Sequence, residues 1–268
     1  MKTIKKSISL IITAFCCLIA LSAGEFSETK KFSLSTIKNI EVELMFESLT
    51  VSICKGNQII VVVESMNDKM FPQITSENKT LKIHTTHPKN KAFDNKALCD
   101  ISLMLPEKYI AEKISIKAPY KKLDIQKMNA KTVSIIPGTE NSLANITADY
   151  FEIPLPDQAD INIYNLDCNS FSIKLLAGDA NISLVRVPEK ESKLSVKEGK
   201  LNVSIPSDSE FTILADSYHS KFINNFTGTE DTWARGGVTY KHNGGGTKIE
   251  LQTFRGDITV GAKNFNEE

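Results

Sequence analysis

Apolar and polar residues alternate along almost the whole chain, and nowhere do apolar side chains recur convincingly at i, i+3, i+4 and i+7 over twelve residues. A period of two is the mark of a strand with one buried face. Ile40, Val42 and Leu44 share one face of the first such segment, and Leu49, Val51 and Ile53 share one of the next. Residues 59–63, IIVVV, are a continuous β-branched run, which predicts a strand buried on both faces. Leu81/Ile83 follow, then Ile101/Leu103/Leu105 before Pro106, completing an N-terminal set of five or six strands.

From residue 114 a repeat sets in. Apolar pairs recur about every ten residues: Ile114/Ile116, Leu123/Ile125, Val133/Ile135, Leu143/Ile146, Phe151/Ile153, Ile161/Ile163, Phe171/Ile173, Ile182/Leu184, Leu194/Val196, Leu201/Val203 and Phe211/Ile213. Leu143/Ile146 alone is spaced by three. Turn-forming Asn, Asp, Gly, Pro and Ser, with Lys, lie between the pairs. Each unit is a strand of about five residues and a corner. Such a strand cannot bury its apolar face alone, but a stack of repeats can. Two strands per coil give coils of about 20 residues, rising ~4.8 Å each. The expected fold is therefore all-β: a two-sided β-solenoid over 111–268, preceded by an antiparallel β region over 25–110 and continuous with it. An antiparallel sandwich of hairpins is the rival for the same pattern. The scarcity of Asn-Gly and Asp-Gly turns favours the solenoid. Residues 219–247, with Trp233, Gly236-Gly237 and Gly244-Gly245-Gly246, break the rhythm and read as a loop. Ile249/Leu251 and Ile258/Val260 then rejoin it.

The first residues add export to this picture. Lys2, Lys5 and Lys6 precede an uncharged run over 8–21, and small residues stand at 22 and 24. That is a signal peptide over 1–24. Its apolar run is shorter than the ~20 residues that span a bilayer. Cys16 and Cys17 fall inside the run, which does not fit a lipoprotein. The expected location is outside the cytoplasm: periplasm, cell surface or medium. The membrane is met only through a signal left uncut. Beyond residue 24 the chain has 29 basic and 32 acidic side chains, a net charge of −3. It lacks the basic footprint of a nucleic-acid binder. Cys54, Cys99 and Cys168 are odd in number, so they form at most one internal disulfide, and their spacing is too wide for a zinc knuckle. Cys54 and Cys168 read as buried free thiols in strands.

Candidate chemistry is sparse. His84 and His87 are two histidines without a third ligand, at a strand end followed by Pro88. Ser35 and Lys38 match S-x-x-K, but within strand-like alternation and without companion motifs. Asp160, Asp167 and Asp179 fall near one another by the ten-residue step, with Asp160 and Asp179 one coil apart. They could make a weak calcium or sugar contact, though outward positions are ordinarily polar. No cofactor, metal or catalytic set is expected. Sequons at Asn78, Asn145, Asn181, Asn202 and Asn225 follow from Asn-rich corners beside Ser- and Thr-rich strands. The candidate binding residues are Arg255, Gly256 and Asp257, the tripeptide that animal integrins read. It falls at the corner between the last two strands. Gly-Asp recurs at Gly178-Asp179, where glycine suits the positive φ of a bend and aspartate can bond the backbone beyond it. The turn thus accounts for Gly256 and Asp257, leaving Arg255.

The signal, the "I-x-V" pairs, the ten-residue step and the closing TKIELQTFRGDITV resemble the bacterial putative-adhesin family of β-strand-repeat proteins, a domain of unknown function. In the tail the resemblance is carried by Ile249, Leu251, Thr253, Gly256, Asp257, Ile258 and Val260. It implies an extracytoplasmic β-solenoid and brings no catalytic residues. The expected function is a non-enzymatic adhesin or binding module of the bacterial envelope, with a protein or glycan ligand. The alternatives are a periplasmic scaffold or accessory to envelope-stress signalling, and a polysaccharide-acting β-helix enzyme, which needs convergent acids in a cleft.

Overall fold

The computed structural model describes residues 26–65, 71–85, 99–227, 229–233 and 237–263. The signal segment and His87 lie outside them. Strands fill the described residues, with no helix among them. They are β1 (Phe26–Ser33), β2 (Asn39–Glu43), β3 (Ser48–Cys54), β4 (Gln58–Ser65), β5 (Gln73–Glu77), β6 (Thr80–His84) and β7 (Cys99–Pro106). Next come β8 (Ala111–Ala118), β9 (Leu123–Ile125), β10 (Met128–Pro137), β11 (Asn141–Ile153), β12 (Ile161–Ala177), β13 (Ala180–Leu184) and β14 (Ser192–Glu198). The last are β15 (Leu201–Ile205), β16 (Phe211–Ser217), β17 (Phe222–Asn224), β18 (Thr229–Trp233), β19 (Gly237–His242), β20 (Thr247–Arg255) and β21 (Ile258–Ala262).

The apolar pairs of the repeat all face inward and are buried, including Leu143 and Ile146. They stack in register. Val133 lies opposite Phe151, and Phe151 opposite Phe171. On a second track Ile163 lies opposite Ile182, and Ile182 opposite Val203. These parallel neighbours are about twenty residues apart in sequence. Burial of an Ile, Leu or Phe contributes ~1.5–3 kcal/mol before the entropy of ordering. The columns give the stack its core.

Two tracks of strands share that core. One runs β5, β6, β2, β8, β10, β11, β12, β14, β20, β16, β19, β18. The other runs β1, β4, β7, β3, β9, β11, β12, β13, β15, β21, β17. β11 and β12 belong to both, because each bends from one track into the other. The bends lie at Asn145 and Asn165, whose φ angles are 51° and 59°. This explains the odd spacing of Leu143 and Ile146: a corner residue separates them. Asparagine is among the few side chains that tolerate this conformation. The two corner amides continue the stacking, since Asn165 Nδ2 donates to Asn145 Oδ1 at 3.0 Å and Asn145 Nδ2 donates to Gln126 O at 3.0 Å.

The all-β expectation holds, but the sheet is mixed and winds less uniformly than a ten-residue step implies. The N-terminal region is not simply antiparallel. β1, β4 and β7 pair antiparallel, as do β5 and β6, while β2 and β3 join the parallel tracks. Residues 59–63 bury only one face: Ile59, Val61 and Val63 are buried, while Ile60 and Val62 are half-buried. The cause is that the core lies on one side of the strands, so β4, like the central strands β10–β12, has one outward face. The described part of residues 219–247 is not an irregular loop either. β18 and β19 form an antiparallel pair that extends the track beyond β16.

Strand order departs most from chain order near the two ends. β2 lies between β6 and β8, and β3 between β7 and β9. Likewise β20 lies between β14 and β16, and β21 between β15 and β17. The chain therefore leaves a one-strand gap on each track, and its last two strands fill it. Deleting residues 247–263 from a chain that starts at residue 25 is expected to abolish cooperative urea unfolding, because it leaves a gap between β14 and β16 and between β15 and β17. A truncated chain that still unfolds cooperatively, with an m-value reduced only in proportion to its length, contradicts this.

Candidate binding site

The inserted strand β20 brings β14 and β16 to either side of it and so builds a surface that no consecutive strands make. Ile249 and Leu251 point inward from β20, as the alternation requires. The same alternation runs on to the corner. Thr253 is buried and Phe254 exposed; one strand over, Ser217 is buried and Tyr218 exposed. The small hydroxyls suit the inner positions because they bond the turning backbone. Thr253 Oγ1 donates to Gly199 O and Ser217 Oγ to Ser220 O, each at 3.1 Å. The aromatic rings are left outside.

Tyr218 and Phe254 stack on each other, with centroids 5.3 Å apart and planes 13° from parallel. His219 stands edge-on to both, at 4.7 Å and 5.2 Å. The rings are 53% and 41% exposed, a large apolar area to leave in water. They wall a shallow groove of about 280 Å³ with Ser195, Lys197, Asp216 and Gln252 along it. Ser195, Gln252 and Asp216 form one outward row across the three strands. Outward residues on either side of that row are paired: Lys193 with Glu250 at 3.1 Å, and Arg255 with Glu198 at 3.7 Å. The side chains of Ser195, Lys197, Asp216 and Gln252 make no hydrogen bond or ion pair among the described residues.

The tripeptide borders this groove. The Arg255 guanidinium lies 5.9 Å from the Phe254 ring centroid. Gly256 has φ 133°, and a methyl group added there would lie 2.0 Å from Gly199 O. Gly199 in turn packs in the same way on Gly178. Asp257 Oδ1 accepts from Lys221 N at 3.1 Å, as Asp179 Oδ1 accepts from Lys200 N at 2.8 Å and Asp160 Oδ1 from Asp179 N at 2.9 Å. Gly256 and Asp257 are therefore the last members of a corner column.

The other sequence candidates do not converge. Asp160 and Asp179 share that column, but Asp167 sits at a different corner, bound to Arg186 Nε at 2.6 Å. His84 Nδ1 lies 3.6 Å from Glu43, whose carboxyl is held below its ordinary range chiefly by the Lys117 hydrogen bond. Ser35 lies in a turn rather than a strand and pairs with Ser33, while Lys38 binds Glu112 at 2.9 Å. Among the described residues no three His, Cys, Asp or Glu side chains are placed to share a metal ion. Sequence reasoning missed Phe254, Tyr218 and the buried carboxylate of Glu47, which accepts from the Met45 and Phe46 amides at 3.0 Å each. The signal for the first two was present in the alternation itself, which runs through Ile249, Leu251 and Thr253 and through Ile213, Ala215 and Ser217 and so leaves both rings outward.

No family model matches the sequence, and no curated protein does. Among solved structures the chain is similar to a "putative adhesin" from Bacteroides fragilis, at 11% identity over 88% of this chain and 97% of that one, with a TM-score of 0.43. It is also similar to a "putative lipid binding protein" from Parabacteroides distasonis, at 13% identity over 90% and 96%, with a TM-score of 0.44. A "putative cell adhesion protein" from Clostridium sporogenes shares 16% identity over 89% and 99%, with a TM-score of 0.37. The chain is thus similar to proteins described as putative adhesins.

Two outcomes follow from this geometry. Gly256→Ala should lower stability by at least ~3 kcal/mol, because positive φ and a main-chain clash combine. Gly244→Ala, at φ 92° in open space, should cost only about 1 kcal/mol; equal losses in urea unfolding would refute the column. Burial pushes the Cys168 thiol up to about 12 and raises those of Cys99 and Cys54. Cys54, the one half-buried thiol of the three, should be alkylated first by iodoacetamide at pH 8, with Cys99 and Cys168 reacting only on unfolding. Equal labelling of all three in the native protein would count against this burial.

Proposed function

We propose that the protein is an exported two-sided β-solenoid that acts without catalysis, as a binding module or adhesin of the cell envelope, and that the groove beside Tyr218 and Phe254 contacts its ligand. The observation that carries this is the exposed aromatic pair beside four polar side chains with no protein partner. Support for the solenoid is the parallel register, with neighbours about twenty residues apart on two tracks. Support for export is the signal segment at 1–24.

A binding role suits the groove better than hydrolysis of a glycosidic bond, which takes a pair of carboxylates flanking the scissile linkage. Asp216 is the one acid lining the groove among the described residues. The long outer faces also suit an extended ligand, as stacked-repeat proteins commonly present such surfaces.

The test is accessibility in intact cells of the native host. Protease added outside is expected to degrade the protein while a periplasmic control survives. Protection until the envelope is opened would contradict a surface adhesin.

A further inference from the structure

We infer that the groove binds a neutral linear glycan, with a sugar ring laid against the Phe254–Tyr218 pair and its hydroxyls bonded by Ser195, Gln252 and Asp216. This rests on the chain being a binding module and names the ligand class.

Three observations converge on that class. The first is a row that carries the two aromatic rings beside a row that is wholly polar. Lys197, Phe254 and Tyr218 form the row nearest the corner, and Ser195, Gln252 and Asp216 the row beside it. A pyranose has the same two-sidedness, with apolar C–H faces and a rim of hydroxyls. Aromatic walls with a few fixed polar groups are the usual makeup of a small-ligand site.

The second is the donor and acceptor inventory. Each sugar hydroxyl both donates and accepts. Asp216 accepts, Lys197 donates, and Ser195 and Gln252 do both. Because these side chains have no protein partner among the described residues, a ligand need not break an existing bond to reach them. A fatty chain would leave all four unmet against hydrocarbon, at a cost that polar burial makes large.

The third is charge. Lys197 and Asp216 balance within the lining, and the neighbouring Arg255 is drawn to Glu198 at 3.7 Å. This favours a neutral chain over a polyanion. The strands lie side by side at ~4.8 Å, close to the length of one sugar ring, so successive rings can cross successive strands.

Affinity electrophoresis of the mature protein tests the assignment, with hydroxyethylcellulose, galactomannan, arabinoxylan or glycol chitin cast in the gel. At least one of these neutral polymers is expected to retard the wild type, and polygalacturonate is not. Phe254→Ala and Tyr218→Ala should each weaken that retardation about tenfold or more. Both rings are exposed, and unchanged urea midpoints for the variants would show that the loss is local. Retardation by none of the four, by polygalacturonate alone, or equally for wild type and both variants overturns the glycan. That failure is separable from failure of the binding-module proposal. A protein that protease shaves from intact cells but no neutral polymer retards leaves the module standing without its glycan.

Discussion

The structure depends on a gap being filled. A strand inside a parallel ladder needs a neighbour on each edge, because every buried backbone N–H and C=O must find a partner. After β14 and β15 the chain does not lay down the adjoining pair of strands. It places β16 and β17 one position further out, turns back through the β18–β19 hairpin, and returns as β20 and β21 to occupy the space between. The inserted strands are bonded on both sides. Gly199 N donates to Arg255 O at 2.7 Å, Leu201 N to Asp257 O at 2.9 Å, and Ile258 N to Lys221 O at 2.9 Å. Near the other end β2 and β3 are enclosed in the same way. Antiparallel strands then close both ends of one track and one end of the other, and the outer strand β1 carries Lys30 and Lys31, which discourage pairing with further chains.

The candidate site inherits this arrangement. Lys197, Phe254 and Tyr218 come from three strands that are neighbours in space but not in sequence. Without the insertion of β20, the two rings would not meet. The corner beneath them is fixed by the stacked glycines 178, 199 and 256, so the ledge stands on rigid backbone. The same corner explains why part of an integrin-like tripeptide occurs here: glycine and aspartate are what that corner repeats.

The inward face was legible in the sequence. A period of two marks Ile114, Val133, Phe151 and their counterparts, and all are buried. The step of ten, doubled, matches the distance between parallel neighbours among the central strands β10–β15. Strand order was not legible, because the inward residues of β14, β16 and β20 are interchangeable aliphatics that fit any adjacent coil. The β18–β19 pair was hidden by glycines that resemble a loop. The groove was half-hidden: the period of two puts Phe254 and Tyr218 on the outward face, but their stacking depends on β20 lying beside β16, which the period does not give. The asparagines of the bends were visible as turn formers, but their left-handed role at 145 and 165 depends on the long strands that run through them.

Native-state hydrogen exchange at the amides of Gly199, Leu201 and Ile258 tests the insertion most directly. If β20 and β21 are locked between neighbours, these amides should exchange only by global unfolding, with the same protection as amides of β11 and β12. Exchange at the low free energy of a fraying end, well before the central strands open, would contradict it.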